Sequence, residues 1–401
     1  MEYQDCPAEP FFPELPPEDD IAVLAEIESQ RIKWAAFISS RGETLSEEWL
    51  WQYWRPEFRP KSQIFKKAMS LFSSRLSAQK KIKSLMRKGI PPELRGRVWY
   101  ACSGASQMRK SASASEQYSV LQGRIGELND SIISFDIEKD LRRTFPEDPR
   151  VNNERGLGAL RRVLSAYAIR RPDIGYCQSM NYVAALLLFH QSEEKAFWTL
   201  AALIENILPP DYYSHSMIGG RVDQQVFQSC IAWKLPQIHE VLKSTRTGLE
   251  PVTTPWFLCL FINTLPIYTV CRVWDCLFWE GSIVLFRVAL ACMKLKSKEI
   301  CECSDIISVY VLLKSNNHKN TYDLGDHNAL DDSTRTSTST STVDSLSHAP
   351  PSRVSSGKAQ RSKVSQLLYF AFGKQWLVSM PRQPIDNLRV KIRAVRFLYS
   401  V

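Results

Sequence analysis

The sequence lacks most features that would mark it for export, for a membrane or for a metal. Ten cysteines occur in 401 residues without one CxxC pair. Cys177, Cys259, Cys271, Cys276 and Cys292 sit inside apolar runs, which predicts buried thiols in a reducing compartment rather than disulfides. The six histidines are scattered, and none pairs with a cysteine at zinc-finger spacing. Cys301 and Cys303 stand too close together to suggest a metal site. The longest apolar stretch, Pro255 to Cys271, is broken by Asn263 and Pro266 and is too short and too polar to span a bilayer. Glu2 and Asp5 occupy positions where a secretory signal would carry positive charge. Sixteen glycines exclude a collagen-like chain, and 44% hydrophobic with 23% charged residues excludes one that is disordered or coiled throughout. There is no GxxxxGK[ST] phosphate loop, no GxGxxG after a strand, no HExxH and no GxSxG. Nothing in the chain marks it as a nucleotide or metal binder in its own right, and a soluble intracellular protein with no cofactor of its own is expected.

What is present is segregated charge and helical periodicity. The formal net charge is +9, yet the first 54 residues hold twelve acidic and three basic side chains. From Arg55 to Arg97 the balance reverses to thirteen basic residues against Glu57 and Glu93. Residues 1–60 therefore read as an acidic, aromatic, partly disordered N-terminal region (Phe11, Phe12, Trp34, Phe37, Trp49, Trp51, Trp54). Its one helix, from about Ile21 to Ile38, would be started by Glu18, Asp19 and Asp20. Residues 61–84 read as a basic amphipathic helix with Phe65, Met69, Phe72 and Leu76 on one stripe.

Residues 85–315 look like one multi-helix domain. Apolar residues recur every three or four positions in Leu157, Leu160, Val163, Leu164 and Tyr167, and again in Phe197, Leu200, Leu203, Ile204 and Ile207. Period-two alternation is scarce, so an all-α fold without a sheet is expected. Pro172, Pro209, Pro210, Pro255 and Pro266 punctuate the helices. Nine of the ten residues Ser333 to Thr342 are serine or threonine. Such a stretch cannot bury enough surface to offset its ordering entropy, so 316–363 is expected to be a disordered insertion. Patterned sequence at 364–401 suggests C-terminal helices that complete the same domain.

Two polar constellations interrupt this apolar background. In Ile137-Glu138-Lys139-Asp140-Leu141-Arg142-Arg143-Thr144-Phe145-Pro146, Asp140 and Arg143 share one helical face, and Pro146 stops the helix just beyond. In Gly175-Tyr176-Cys177-Gln178-Ser179-Met180-Asn181, which follows Arg171-Pro172-Asp173, glycine and proline force a loop before an apolar helix from Tyr182 to Phe189. Gln178 then stands at a loop-to-helix junction, facing outward.

These segments resemble the TBC domain of Rab GTPase-activating proteins. Further matches are Lys88-Gly89-Ile90-Pro91 with Leu94-Arg95-Gly96-Arg97-Val98-Trp99, Ile207 to Tyr213, Asp223-Gln224, Trp256 to Phe261, Arg272-Val273-Trp274-Asp275 and Glu280-Gly281-Ser282. They run in the family's order from about Leu85 to Leu313, and the layout is most similar to the short members of the family. The resemblance implies a chain that stimulates GTP hydrolysis by a Rab-family small GTPase. GTP and Mg²⁺ would be carried by that partner, and the chain itself would be cytoplasmic, with transient recruitment to organelle membranes. The arginine of IxxDxxR falls on Arg143 and the glutamine of YxQ on Gln178, and both would enter the partner's active site. A guanidinium delivered in trans stabilises phosphoryl-transfer charge, while an amide orients water.

Asp140, Tyr176 and Asn181 are assigned to orienting these groups or meeting the partner. A plain ion pair for Asp140, and packing with buried hydrogen bonds for the other two, are the blander readings. Arg142 reads as an ordinary surface charge. Arg95 and Trp99, four apart on one helix, are expected to be structural, the guanidinium lying over the ring or meeting a carboxylate. Trp256, Trp274 and Asp275 are expected in the core and its network. Ser179 stands where the family usually has glycine. Two other functions compete: a non-catalytic Rab-binding scaffold or trafficking adaptor, and peripheral membrane contact through basic residues 61–88. The absence of a recognition module argues against nucleic acid.

Overall fold

The computed structural model describes residues 21–40, 69–246, 248–314, 363–372 and 382–398. Among them lie eighteen α-helices, short 3₁₀ turns and one π-helical turn, and no strand. The fold is all-α, as the three-and-four spacing predicts. None of the described helices is long and apolar enough to cross a membrane.

The first layer comprises α1 (Ile21–Ser39), α2 (Met69–Lys88), α3 (Pro92–Ser103), α4 (Ala105–Ser111) and α5 (Tyr118–Gly123). Next come α6 (Ile132–Leu141), α7 (Glu154–Arg170), α8 (Met180–Leu188) and α9 (Glu193–Ala202). Helix α7 starts where the Asn153 side chain accepts the Gly156 N–H at 2.9 Å, and it buries Leu160, Val163, Leu164 and Tyr167 along one stripe. Helix α8 is buried over nearly its whole surface and packs against α6, α7 and α9. After α9 the chain loosens into a π-turn, Leu203–Ile207, in which the Leu208 N–H reaches back to the Leu203 carbonyl at 2.9 Å. The apolar period therefore continues to Ile207 although the α-helix stops at Ala202.

The remaining helices are α10 (Ile218–Lys234), α11 (Pro236–Ser244), α12 (Glu250–Leu258), α13 (Ile267–Glu280), α14 (Ile283–Leu295), α15 (Ser297–Glu302), α16 (Ile306–Lys314), α17 (Lys363–Phe372) and α18 (Arg382–Leu398). Pro255 does not end a helix as expected; it lies inside α12. In a helix of nine residues it removes a single backbone donor, and neighbouring packing over Trp256 and Phe257 offsets that loss. Helix α17 packs on α14, and α18 packs on α10, where Arg389 forks onto buried Asp223 at 2.7 and 2.8 Å. The expected Ser/Thr-rich insertion lies outside the described residues as far as Lys363, which opens α17. In the N-terminal region the acidic cluster 18–20 and the aromatics other than Trp34 and Phe37 also lie outside them.

Helix α1 is docked on the domain. The Trp34 indole donates to the Gly89 carbonyl at 2.8 Å, Gln30 donates to the Tyr268 hydroxyl at 3.1 Å, and Arg31 meets Glu93 at 2.9 Å. Gly89 itself has φ +104°, and a Cβ there would stand 2.2 Å from the Arg272 guanidinium, so only glycine fits. Helix α2 buries Ala78, Ile82, Leu85 and Met86 and packs on α13. The expected stripe, Phe65, Met69, Phe72 and Leu76, lies outside the described side chains.

Two of the cations of α2 are engaged. Glu280, nearly buried at the end of α13, receives Arg87 at 2.6 and 2.8 Å, Lys83 at 3.2 Å and Arg287 at 2.8 Å. Burial works to raise its carboxyl pKa, but the Arg87 hydrogen bonds and the charges of Arg87, Lys83 and Arg287 outweigh burial and hold it at about 2, against an ordinary 4.5. A folded-state pKa below the unfolded one stabilises fully above about pH 4.5 and is lost as pH falls through about 2. Glu280→Gln is therefore expected to lower stability by about 3 kcal/mol at pH 6. Urea titrations should show the gap to wild type closing between pH 4.5 and 2; a gap that stays constant over that window would contradict the assignment.

Candidate functional site

Helix α6 begins at Ser131, whose hydroxyl accepts the Ser134 N–H at 3.1 Å, and ends at Leu141, earlier than expected. Arg143 therefore sits in the turn beyond the helix rather than on its face, with its N–H bonded to the Asp140 carbonyl at 3.2 Å. Thr144 closes the turn: its hydroxyl donates to that same carbonyl at 2.7 Å, which competes with further helical bonding. The Arg143 side chain remains 42% exposed and meets buried Asp140 at 2.5 Å.

The second segment is a loop between α7 and α8. Gly175 takes φ +63°, with Ile133 of α6 packed where a side chain would stand. Gln178 is exposed and its amide makes no hydrogen bond to another described residue. Ser179 is buried at φ +96°, a conformation that glycine adopts freely and serine does not, and it is the residue immediately before α8. Its amide N–H donates to the Asn181 side chain at 3.1 Å, and its hydroxyl accepts from the Cys259 thiol at 3.2 Å.

Three hydrogen bonds join these two segments. The Tyr176 hydroxyl donates to the Asp140 carboxylate at 2.6 Å, Asn181 donates to the Thr144 hydroxyl at 2.7 Å, and the Tyr182 hydroxyl donates to the Arg143 carbonyl at 3.0 Å. Burial, and then the bond to Asp140, push the Tyr176 hydroxyl above its ordinary range, so it stays a donor at neutral pH. Asp140 thus serves two neighbours, one oxygen for Tyr176 and the other for Arg143. Asp140 and Asn181 are too buried to face a partner, and Tyr176 is half-buried. Arg142 is exposed beside them.

Spacing did not single out Thr144 or Tyr182, although both hold the Arg143 turn. The signal was a hydroxyl on each side of the two constellations, next to Arg143 and next to Asn181. Tyr182→Phe removes only that hydroxyl while the ring keeps its edge-on contact with Phe145 at 5.8 Å. Loss of one hydrogen bond at this turn is expected to cost about 1 kcal/mol. The effect should appear in any activity that depends on Arg143, with thermal stability shifted by a few degrees at most. An activity equal to wild type would remove Tyr182 from the site.

The other expected residues gather elsewhere. Asp275, fully buried on α13, accepts from Arg95 at 3.3 Å, from the Trp99 indole at 3.0 Å and from the Ile90 backbone at 2.9 Å. Of the two alternatives for Arg95 the carboxylate is realised, and the ring it lies over is Tyr268, at 5.6 Å, rather than Trp99. The Trp274 indole donates to the Leu260 carbonyl at 3.1 Å, and Trp256 is buried with Phe261 6.3 Å from its ring. These five residues are buried, and none of the hydrogen bonds just given reaches Arg143 or Gln178. Among the described residues no group of His, Cys, Asp and Glu could hold a metal ion.

The profile of the Rab-GTPase-TBC domain matches residues 92–301, which include both segments. The chain is 37% identical over 237 residues to small G protein signaling modulator 3 of Rattus norvegicus, covering 59% of this chain and 31% of that one. It is 34% identical over 249 residues to TBC1 domain family member 2B of Xenopus tropicalis, covering 61% and 26%. It thus spans about a third or less of these relatives' length. Among solved structures, the Chlamydomonas flagellar RabGAP TBC domain is 33% identical with a TM-score of 0.54, covering 63% of this chain and 86% of that one.

Proposed function

Because this chain belongs to the Rab-GTPase-TBC domain family, we propose that it stimulates GTP hydrolysis by a Rab-family small GTPase through Arg143 and Gln178. The observation that carries this reading is the brace just described: two exposed polar side chains, otherwise uncommitted or nearly so, on segments bonded to each other three times.

In this reading the partner supplies the nucleotide and its Mg²⁺, and the chain adds two groups to an incomplete catalytic site. The Arg143 guanidinium neutralises charge building on the bridging and γ-phosphate oxygens. The Gln178 amide N–H donates to the γ-phosphate while its carbonyl accepts from the attacking water, which orients the nucleophile without taking its proton. Asp140 restrains the arginine before docking and aligns its planar fork. Rab partners are lipid-anchored, so the reaction is placed at organelle surfaces reached from the cytosol, in vesicle traffic. Of the basic stretch 61–88, Lys83 and Arg87 are held by Glu280, so any membrane contact falls to the remaining cations.

A multiple-turnover screen of purified GTP-loaded Rabs, with wild type beside Gln178→Ala, tests the proposal. At least one Rab should be strongly stimulated by wild type and weakly by the variant. Tight binding of a GTP-loaded Rab with no acceleration would overturn it in favour of a scaffold.

A further inference from the structure

Ile132 and Phe135, at 82% and 72% exposed, are the two most exposed large apolar side chains among the described residues. Both lie on α6, the helix that leads into Arg143. The core does not explain them, because the opposite side of α6 already supplies Ile137, Asp140 and Leu141, all buried, and Ile133 against Gly175.

Positions 132, 135, 139 and 142 follow one another at helical spacing, so Lys139 and Arg142 continue the same outward face toward the Arg143 turn. Both are exposed and neither makes an ion pair with another described residue, though the charge of Arg142 acts on nearby Glu138, which Arg161 holds. An apolar pair with a cationic end is the composition of a docking surface rather than of a solvated helix.

We propose that this face of α6 binds the same GTPase that receives Arg143, gripping an apolar, acid-rimmed patch beside its nucleotide pocket. The inference rests on the proposed activity and extends it from chemistry to recognition. Scale commits the occupant. Along the helix direction Phe135 lies about 12 Å and Ile132 about 16–17 Å from the Arg143 turn, and a standard interface of about 800 Å² per partner reaches about 16 Å from its centre. A GTPase seated with its phosphates at Arg143 therefore covers Phe135 and reaches Ile132 at its edge, whereas a second partner on that face would collide with it.

The test is the kinetics of the double variant Ile132→Ser/Phe135→Ser on whichever purified GTP-loaded Rab responds best to wild type. Its kcat/KM should fall about 5- to 10-fold, as expected for two apolar contacts toward the edge of an interface rather than at its centre, with the loss in KM and kcat kept within about twofold. Circular dichroism and melting should match wild type, since both side chains stand in solvent. If wild type stimulates the Rab and the double variant does so with unchanged kcat/KM, this inference fails while the proposed activity stands. If wild type stimulates no Rab, both fail. A loss confined to kcat, or a wild-type dimer that the double variant abolishes, would assign the face to another role and overturn the inference.

Discussion

Arg143→Ala is expected to lower GTPase stimulation by about 10³- to 10⁵-fold, equivalent to roughly 4 to 7 kcal/mol of barrier, without unfolding the chain. The magnitude follows from what the group would do: a cation acting at the transition state, in a site that docking has emptied of water, is worth far more than the same charge in solvent. The fold should tolerate the change because the guanidinium is half-exposed and bonded only to Asp140, and the turn is held by the backbone and by Thr144, Asn181 and Tyr182. Arg143→Lys should recover little, since a point charge does not reproduce the planar fork that bridges two oxygens. The decisive comparison is single-turnover hydrolysis at saturating protein, where the loss should lie in the rate constant rather than in the half-saturation concentration. Stimulation by purified Arg143→Ala equal to wild type would refute the assignment.

The segments carrying Arg143 and Gln178 stood out in the sequence because each is a short, ordered string of residue types. Their common setting was not. Tyr176 is 36 residues from Asp140, Asn181 is 37 from Thr144 and Tyr182 is 39 from Arg143, so no local period connects them. Helical periodicity sufficed for α7 and for the all-α class because it reports one buried face at a time. It failed where a local hydrogen bond competed with the helix: Thr144 ends α6 before Arg143, and the π-turn after α9 keeps the apolar rhythm while changing the bonding. It was equally silent on backbone sign, and only the family's usual glycine at position 179 hinted at the φ +96° that the loop shows. The docking of α1 depends on Trp34 and Gln30 finding partners 55 and 238 residues away.

Removing Asp275 should cost more stability than any other single substitution considered. Its carboxylate, on α13, is the counter-ion of fully buried Arg95 and the acceptor for the Trp99 indole and the Ile90 amide, groups drawn from α3 and the loop between α2 and α3. Asp275→Ala leaves an uncompensated cation in the interior, about 3–5 kcal/mol, and orphans two N–H donors at about 1–3 kcal/mol each. Those costs are comparable with the whole stability of a domain, about 5–15 kcal/mol. The variant is expected to be largely unfolded or insoluble at 37 °C, and to melt far below wild type where it folds at all. The companion variant Arg95→Met/Asp275→Leu separates charge from packing. With both ions gone the desolvation penalty vanishes with the attraction, so the double variant should be clearly more stable than Asp275→Ala, short of wild type by about what the Trp99 and Ile90 donors lose. Urea denaturation of Arg95→Met, Asp275→Leu and the double variant closes the cycle. Additive losses would mean that Arg95 and Asp275 do not depend on each other, and that the buried pair is not what ties the first layer to α13.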